Sequence, residues 1–396
     1  MASTGAEVGA AAEFEQFSVR RRVRVHRLPA RGHYSPCQRR TWRHGRPTRE
    51  TRLKITNVHL SGLGVFQPPV TDAGQAARRG DYSPAAYLEN RLTGACVAGD
   101  VSPPEMAVHA ARQALTRAAA DPAGIGLLLH ASIYHQGPEM WLPGPYIQRE
   151  VVGTAAPAFE VRLGCNGVFA ALEIAAGHLA GAATGRTVLV TTAENLGSPL
   201  IDRWNSAPGF ILGDAGSALL LDRDHGFARL RAVGSVAVPE VEPLYRGGEP
   251  LYPPAAGQGR TIDMRERAEY FRTNVMSLTD AAELRNRARL DLIERTLDEA
   301  DRKLADMTRF ICGNAAAYMV QHDLVEPLGI TMERTTWQFG RGVGHTGASD
   351  QLLSLNHLLV TGQLTAGDHL LLYGGAPATL SCAVLEILDV PEWAGA

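Results

Sequence analysis

Cys165 stands where a thiol could serve as a nucleophile. It lies in Phe159-Glu160-Val161-Arg162-Leu163-Gly164-Cys165-Asn166-Gly167-Val168-Phe169, a strand-like run that passes directly into a helical one. The following stretch, Ala170 to Leu179, carries helix formers at helical spacing. A thiol at that junction lies near a helix N-terminus, where unpaired backbone N–H groups and the helix dipole favour a thiolate. Gly164 and Gly167 permit a sharp turn and close approach of a substrate. The competing reading is a small buried side chain without chemistry, the ordinary fate of a free cysteine.

The chain has 396 residues, 45% hydrophobic and 20% charged, the composition of a globular protein with room for one large domain or two ordinary ones. Its five cysteines (37, 96, 165, 312 and 382) are odd in number and lack a CxxC spacing. That argues against a disulfide framework or a zinc site and points to a reducing cytoplasm. No apolar run approaches the roughly 20 residues of a membrane helix. The net charge of −2 conceals an asymmetry, because residues 1–52 carry twelve Arg against four Glu while the remainder is acidic. This arm has no apolar period and reads as a disordered, non-structural extension. It lacks the serine content and amphipathic pattern of a transit peptide, and the acidic body gives a nucleic-acid role no support.

Other segments must position Cys165. Leu53 to Leu60 alternates and is rich in β formers, so it reads as the first strand. Pro103 to Ala120 reads as a helix with Ser102 as cap and Glu105 in its first turn. Gly126–Ser132, Thr187–Ala193 and Gly213–Leu221 are apolar strands. The rhythm then repeats: strand character over 227–238, a helix over 285–305, a short strand at 310–312 and a helix over 349–360. Strands at 370–373 and 383–387 follow, around a turn at Gly374-Gly375. Gly247 to Gly259, with Pro250, Pro253 and Pro254, reads as a surface loop. Apolar strands alternating with helices predict an α/β fold with a mostly parallel sheet covered on both faces. The two halves are 53–225 and 226–396.

At this point the residues resemble the ketoacyl-ACP synthase III branch of the thiolase-fold enzymes, over about Leu53 to Leu388. Pro145 to Gly153 resembles the helix before the nucleophile strand, and Gly164-Cys165-Asn166-Gly167 the cysteine elbow. Phe210 to Ala218 resembles the family's Gly-Asp-Gly-Ala motif, and Tyr373-Gly374-Gly375-Ala376 the glycine-rich segment whose backbone forms part of the oxyanion hole. Each motif is weak alone; together, in order over more than 200 residues, they are specific. The resemblance implies two similar α/β halves stacked as a five-layer αβαβα sandwich. It also implies a cysteine that takes an acyl group from CoA or a carrier protein, with the backbone of Cys165 and Gly375 as oxyanion hole.

The helper positions depart from the family pattern. Where the family has His in a Pro-His-Gln-Ala-Asn word, this chain has Cys312-Gly313-Asn314-Ala315-Ala316-Ala317, with Asn314 fourteen residues before Leu328-Gly329. Where the family has Asn in a Gly-Asn-Thr-Ser word, this chain has Gly344-His345-Thr346-Gly347. The helpers look exchanged, which makes Cys165, His345 and Asn314 the candidate catalytic set. Asp350, five residues past His345, could orient the imidazole or cap a helix. Trp141 falls where the family's dimer inserts an apolar side chain into the neighbour's acyl pocket; Trp204 is a further pocket candidate, and Arg203 could meet the thioester donor's phosphates.

Exchanging the donors moves the only plausible general base across the thioester. A His beside an acyl-cysteine can deprotonate a hydroxyl or amine, which then attacks. The first expectation is therefore an acyltransferase of specialised, antibiotic-type metabolism that uses acyl-CoA or acyl-ACP as donor and a small-molecule acceptor. The alternatives are carbon–carbon condensation with a rewired donor pair and a catalytically silent partner subunit. A homodimer is expected. No P-loop, dinucleotide glycine motif or metal constellation is present, so no tightly bound cofactor is implied.

Overall fold

The computed structural model describes residues 55, 57–181, 187–197, 199–252, 259, 261–376 and 378–395. The basic arm and the middle of the 247–259 loop lie outside the described residues. The strands are β1 (His59–Phe66), β2 (Val70–Asp72), β3 (Gly94–Cys96), β4 (Ile125–Ala131), β5 (Ala158–Val161), β6 (Thr187–Glu194), β7 (Ala215–Asp222), β8 (Ala228–Ala237), β9 (Arg309–Ile311), β10 (His369–Ala376) and β11 (Thr379–Ile387). Nine of them hydrogen-bond in the order β5-β4-β6-β7-β1-β8-β11-β10-β9, and β2 pairs with β3. The junction between the two halves is narrow: β1 meets β8 only at His59↔Arg229 and Leu60↔Ala228.

Packing turns this order into layers. Inward-facing residues of both halves, among them Leu127, Leu129, Leu219, Leu372 and Leu385, share one core with Val168, Phe169 and Leu172 of helix Gly167–Gly181 and Leu352 and Leu355 of helix Asp350–Val360. The alternate residues Leu128, Leu189 and Leu220 pack outward on helix Pro103–Ala118. On the other outer face, Leu371 and Val384 meet Leu292 and Leu297 of helix Leu278–Glu299. The sequence of layers is helix, sheet, helix, sheet, helix. A helix buried between two sheets must be apolar on most sides, which Gly167–Gly181 is.

Four expectations change. The sheet is not mostly parallel: β5–β4, β4–β6 and β9–β10 are parallel, but β6–β7, β7–β1, β1–β8, β8–β11 and β11–β10 are antiparallel. Helical crossovers serve only the outer strands, whereas short connections such as that between β7 and β8 reverse the chain. The first strand begins at His59 rather than Leu53 and runs through Gly62 and Gly64. A Cβ at Gly64 would lie 2.0 Å from the carbonyl oxygen of Ala110. Only a residue without a side chain lets the Pro103–Ala118 helix lie so close to the strand. Gly374 and Gly375 are likewise strand residues at the end of β10, not a turn. Helix Leu278–Glu299 begins seven residues before the predicted 285.

Candidate active site

The elbow is built by short-range hydrogen bonds. β5 ends at Val161 and the helix begins at Gly167. Between them, the amides of Asn166 and Gly167 bond the carbonyls of Leu163 and Gly164 at 3.2 and 3.0 Å. Cys165 is half-buried, while Cys96, Cys312 and Cys382 are buried free thiols. Burial pushes those three up to about 12, 11 and 12, so they are inert at neutral pH.

His345 comes to Cys165 from the far half of the chain. Its amide bonds the Ile211 carbonyl at 2.7 Å, and its own carbonyl accepts from Gly213 N at 2.9 Å. The Phe210–Ala218 segment therefore locates the histidine's backbone. The flanking Gly344 and Gly347 have φ of 80° and 68°, and a Cβ at either would collide with Ala95 or Ile133. His345 Nε2 lies 2.9 Å from Cys165 Sγ, and Nδ1 lies 2.6 Å from Asp350 Oδ2. The Phe210 ring packs on the imidazole with centroids 5.0 Å apart. Burial opposes protonation of His345, but the charges of Cys165 and Asp350 and hydrogen bonds to both outweigh it, holding the imidazole well above its ordinary value.

Asp350 is fully buried and is the convergence point behind the histidine. Its Oδ2 also accepts from Asn314 N at 2.8 Å. Its Oδ1 accepts from Thr346 N at 2.7 Å, Thr346 Oγ1 at 2.8 Å and Asn314 Nδ2 at 3.0 Å. Such a carboxylate fixes the imidazole's orientation and tautomer. Asn314 Nδ2 also donates to the Gly344 carbonyl at 2.8 Å. Its amide therefore serves Asp350 and the histidine loop instead of aiming at Cys165. Asn314 occupies the helper position in sequence but is a positioning residue in this geometry.

The end of β10 closes on the elbow. A Cβ at Gly374 would meet Asn166 Oδ1 and Phe169 at 2.5 Å, and one at Gly164 would meet Ala376 at 3.6 Å. Asn166 Nδ2 donates to the Thr379 carbonyl at 2.8 Å. Gly375, beside this contact, is exposed.

Two residues near the site escaped the sequence reading. Glu194, at the end of β6, is fully buried and accepts from the amides of Ile133 and Tyr134. Burial raises it to about 8 despite those donors and the nearby charges of Arg162 and His345. An acid ending the run Val188-Leu189-Val190-Thr191-Thr192-Ala193 was the available signal. Tyr245, on the short helix Pro243–Arg246, is raised above the ordinary phenol value by burial of its hydroxyl and by the charge of Cys165. Nothing in its local sequence announces that proximity.

Trp141, Trp204 and Arg203 line a cavity of about 1370 Å³, together with Tyr134, Arg162 and Ile262. Cys165 and His345 are not among its described lining residues, so the structure does not bring this cavity's tryptophans onto the thiol. Trp141 is 38% exposed; Trp204 tilts against Tyr82 with centroids 5.8 Å apart. The placement of Arg203 runs against a role at the donor's phosphates. Its Nη2 pairs with fully buried Asp214 at 2.9 Å, and its Nη1 donates to the Leu212 carbonyl at 2.8 Å. Those bonds commit the guanidinium to the interior. Among the described residues, no group of three or more His, Cys, Asp or Glu is arranged to hold a metal ion, and no helix is long and apolar enough to cross a membrane.

The fold is that of the thiolase-like transferases. The family description 3-oxoacyl-acyl-carrier-protein (ACP) synthase III fits residues 159–235, and its C-terminal counterpart fits residues 297–387. A solved structure named ChlB3, described as an acyltransferase, is 42% identical with a TM-score of 0.81, covering 85% of this chain and 99% of that one. The mycobacterial beta-ketoacyl-ACP synthase III of Mycobacterium avium (strain 104) is 28% identical over 171 residues, 42% of this chain and 50% of that protein, so the match spans about half of that relative. The 3-oxoacyl-ACP synthase III of Aquifex aeolicus VF5 shares the fold at a TM-score of 0.68 and 20% identity, covering 83% of this chain and 99% of that one. The chain belongs to the ketoacyl-ACP synthase III-like family of thiolase-fold enzymes.

Proposed function

We propose that Cys165 takes an acyl group from a CoA or acyl-carrier-protein thioester and passes it to a hydroxyl or amine of a small specialised-metabolite acceptor. The observation that carries this reading is that His345 Nε2 faces Cys165 Sγ with Asp350 behind it, while the Asn314 amide is bonded elsewhere. In loading, the sulfur attacks the thioester carbonyl and the new C–S bond forms. The negative oxygen is held by the backbone around Cys165 and Gly375, and the donor's C–S bond then breaks. His345 gives its proton to the departing thiolate and is left neutral. Acylation removes the sulfur's charge, one of the causes that raise the imidazole, so His345 becomes competent as a base. In transfer, Nε2 takes the proton of the acceptor, the acceptor's O or N bonds the acyl carbon, and the bond to Sγ breaks. Asp350 stabilises the imidazolium that results.

Similarity to ChlB3 supports acyl transfer, and its extent makes this the first reading. Carbon–carbon condensation is the second, favoured by the matches to ketoacyl-ACP synthases. It calls for donors converging on an enolate oxygen, and Asn314 would have to leave two hydrogen bonds to become one. A silent subunit would carry no acyl group on Cys165. Exposed Met140 and Leu142 beside Trp141, and exposed Phe159 on edge strand β5, favour a homodimer.

The test is intact-mass detection of an adduct on Cys165 after incubation with acyl-CoA, acyl-ACP and N-acetylcysteamine thioesters, with Cys165→Ala as control. Absence of any adduct supports the silent subunit. If an adduct forms, malonyl-ACP with detection of released CO2 separates condensation from transfer. Acceptor turnover in His345→Ala at near wild-type rate would refute the base assignment.

A further inference from the structure

A second set of side chains gathers at the end of β10, beside the elbow. A Cβ at Gly375 would lie 3.1 Å from Tyr373 Oη and 3.5 Å from Arg285 Nη2. Gly374, the preceding residue, is in contact with Asn166 and Phe169, so this strand end connects Arg285 to the nucleophile turn. The hydroxyl of Tyr245 is within electrostatic reach of both Cys165 and Arg285. Tyr245 keeps 45% of its surface exposed, while its hydroxyl is buried.

Arg285 and Arg289 sit one turn apart on helix Leu278–Glu299, and their surroundings differ sharply. Arg289 is buried and fully engaged: Nε bonds Tyr373 Oη at 3.0 Å, Nη1 bonds the Asp323 carbonyl at 2.6 Å, and Nη2 pairs with the Asp323 carboxylate at 3.0 Å. Arg285 is half-buried and makes neither a hydrogen bond nor an ion pair with any described residue. The phenols of Tyr245 and Tyr373 lie near it and offer no permanent negative charge. A guanidinium withdrawn from water without an acid to meet it is costly, and its planar fork of donors matches an ionised oxygen group.

We propose that Arg285, assisted by the Tyr245 hydroxyl, receives an ionised oxygen group, such as a carboxylate, carried by the substrate that reacts at Cys165. The group belongs to the acyl chain or to the acceptor, and the same site serves both chemistries. Arg285 thereby selects the substrate without taking part in bond making. The inference rests on Cys165 as the acyl carrier, and its test is built to fail separately from that reading.

Loading is followed by intact mass with the N-acetylcysteamine thioesters of succinate and butyrate, which lack phosphate and differ in a terminal carboxylate. Transfer is followed from enzyme preloaded with butyrate to 3-hydroxybutyrate or its methyl ester. Binding of the same four compounds to Cys165→Ala is measured by calorimetry, which needs no acylation. The wild-type residue should favour the charged compound of one pair by roughly 10- to 100-fold, the range for a charge-assisted hydrogen bond. Arg285→Gln should bring that ratio to within about twofold, and Arg285→Lys should keep part of it, since the charge survives and the fork does not. Loss confined to the loading pair assigns the charged group to the acyl chain; loss confined to transfer assigns it to the acceptor. The proposal is overturned if neither pair shows a charge preference or if Arg285→Gln leaves it intact. If no thioester acylates wild-type enzyme, the acyl-carrier reading fails, and calorimetry on Cys165→Ala with and without Arg285→Gln still decides the binding site.

Discussion

Asp350→Asn isolates what the buried carboxylate does for His345. Asp350 accepts five hydrogen bonds, two at Oδ2 from His345 Nδ1 and Asn314 N, and three at Oδ1 from Thr346 N, Thr346 Oγ1 and Asn314 Nδ2. An asparagine must turn its NH2 toward one of these groups. On the Oδ1 side it would face two fixed donors, Thr346 N and Asn314 Nδ2. On the Oδ2 side it would face one, Asn314 N, because His345 Nδ1 can accept if its proton moves to Nε2. The second orientation costs less, and it leaves His345 presenting N–H to Cys165. An imidazole in that tautomer cannot take the acceptor's proton. A wrong tautomer in a comparable triad lowers turnover by about 10^4, so transfer from acyl-Cys165 should fall by roughly 10^3 to 10^4, or about 4 to 5.5 kcal/mol. The stranded Asn314 N–H should lower stability by about 1–3 kcal/mol. Loss of the Asp350 charge also removes a cause of the raised His345 pKa, so the low-pH limb of the rate profile should move to lower pH. Single-turnover decay of the acyl adduct, followed by intact mass across pH, measures both effects. A folded Asp350→Asn enzyme, verified by a cooperative melt, that transfers within about tenfold of wild type would refute the reasoning.

Three further outcomes follow from the packing. Arg203→Met should destabilise by about 3–5 kcal/mol, because it strands the buried Asp214 charge, and chemical denaturation should show that loss. A rise in thioester KM with unchanged stability would instead restore Arg203 to the donor site. Gly374→Ala places a methyl 2.5 Å from Asn166 Oδ1 and Phe169, so Cys165 acylation should slow even with the most reactive thioesters; normal acylation kinetics would show that the elbow can yield. Glu194, raised to about 8 by burial, binds its proton more tightly when folded than when unfolded. Its favourable contribution is complete below the unfolded value near 4.5 and is lost as pH rises through about 8. Glu194→Gln should therefore gain on wild type from about pH 5 to about pH 9, by at most on the order of 5 kcal/mol in denaturation midpoints converted to free energy. A constant gap between the two proteins would contradict the raised value.

Local chemistry made some of this molecule legible without coordinates. The cap at Ser102, with Pro103 and Glu105 behind it, announces helix Pro103–Ala118, because the signals lie within one turn of each other. The elbow was equally readable, since a strand, a glycine-flanked thiol and an apolar helix are consecutive. Strand direction was less so. Apolar runs reveal burial on both faces but not the sense of pairing, and β7, β8, β10 and β11 turned back on short connections.

The sequence by itself determined the setting of Cys165, the order of the family motifs and the identity of the residues at both helper positions. It also placed Asp350 close enough to His345 to matter, though helix capping explained that spacing equally well. Only the tertiary structure decided which groups meet the thiol. His345 is 180 residues from Cys165, and its ring reaches the sulfur because its backbone is tied to Ile211 and Gly213 while β10 closes on the elbow. The same folding turned the Asn314 amide inward to Asp350, paired Arg203 with Asp214 and left Arg285 without an acid among the described residues. The reason is physical: a local pattern records what each segment needs to bury or cap, whereas a side chain's final hydrogen-bond partner is set by segments far away in the chain that compete for the same donors.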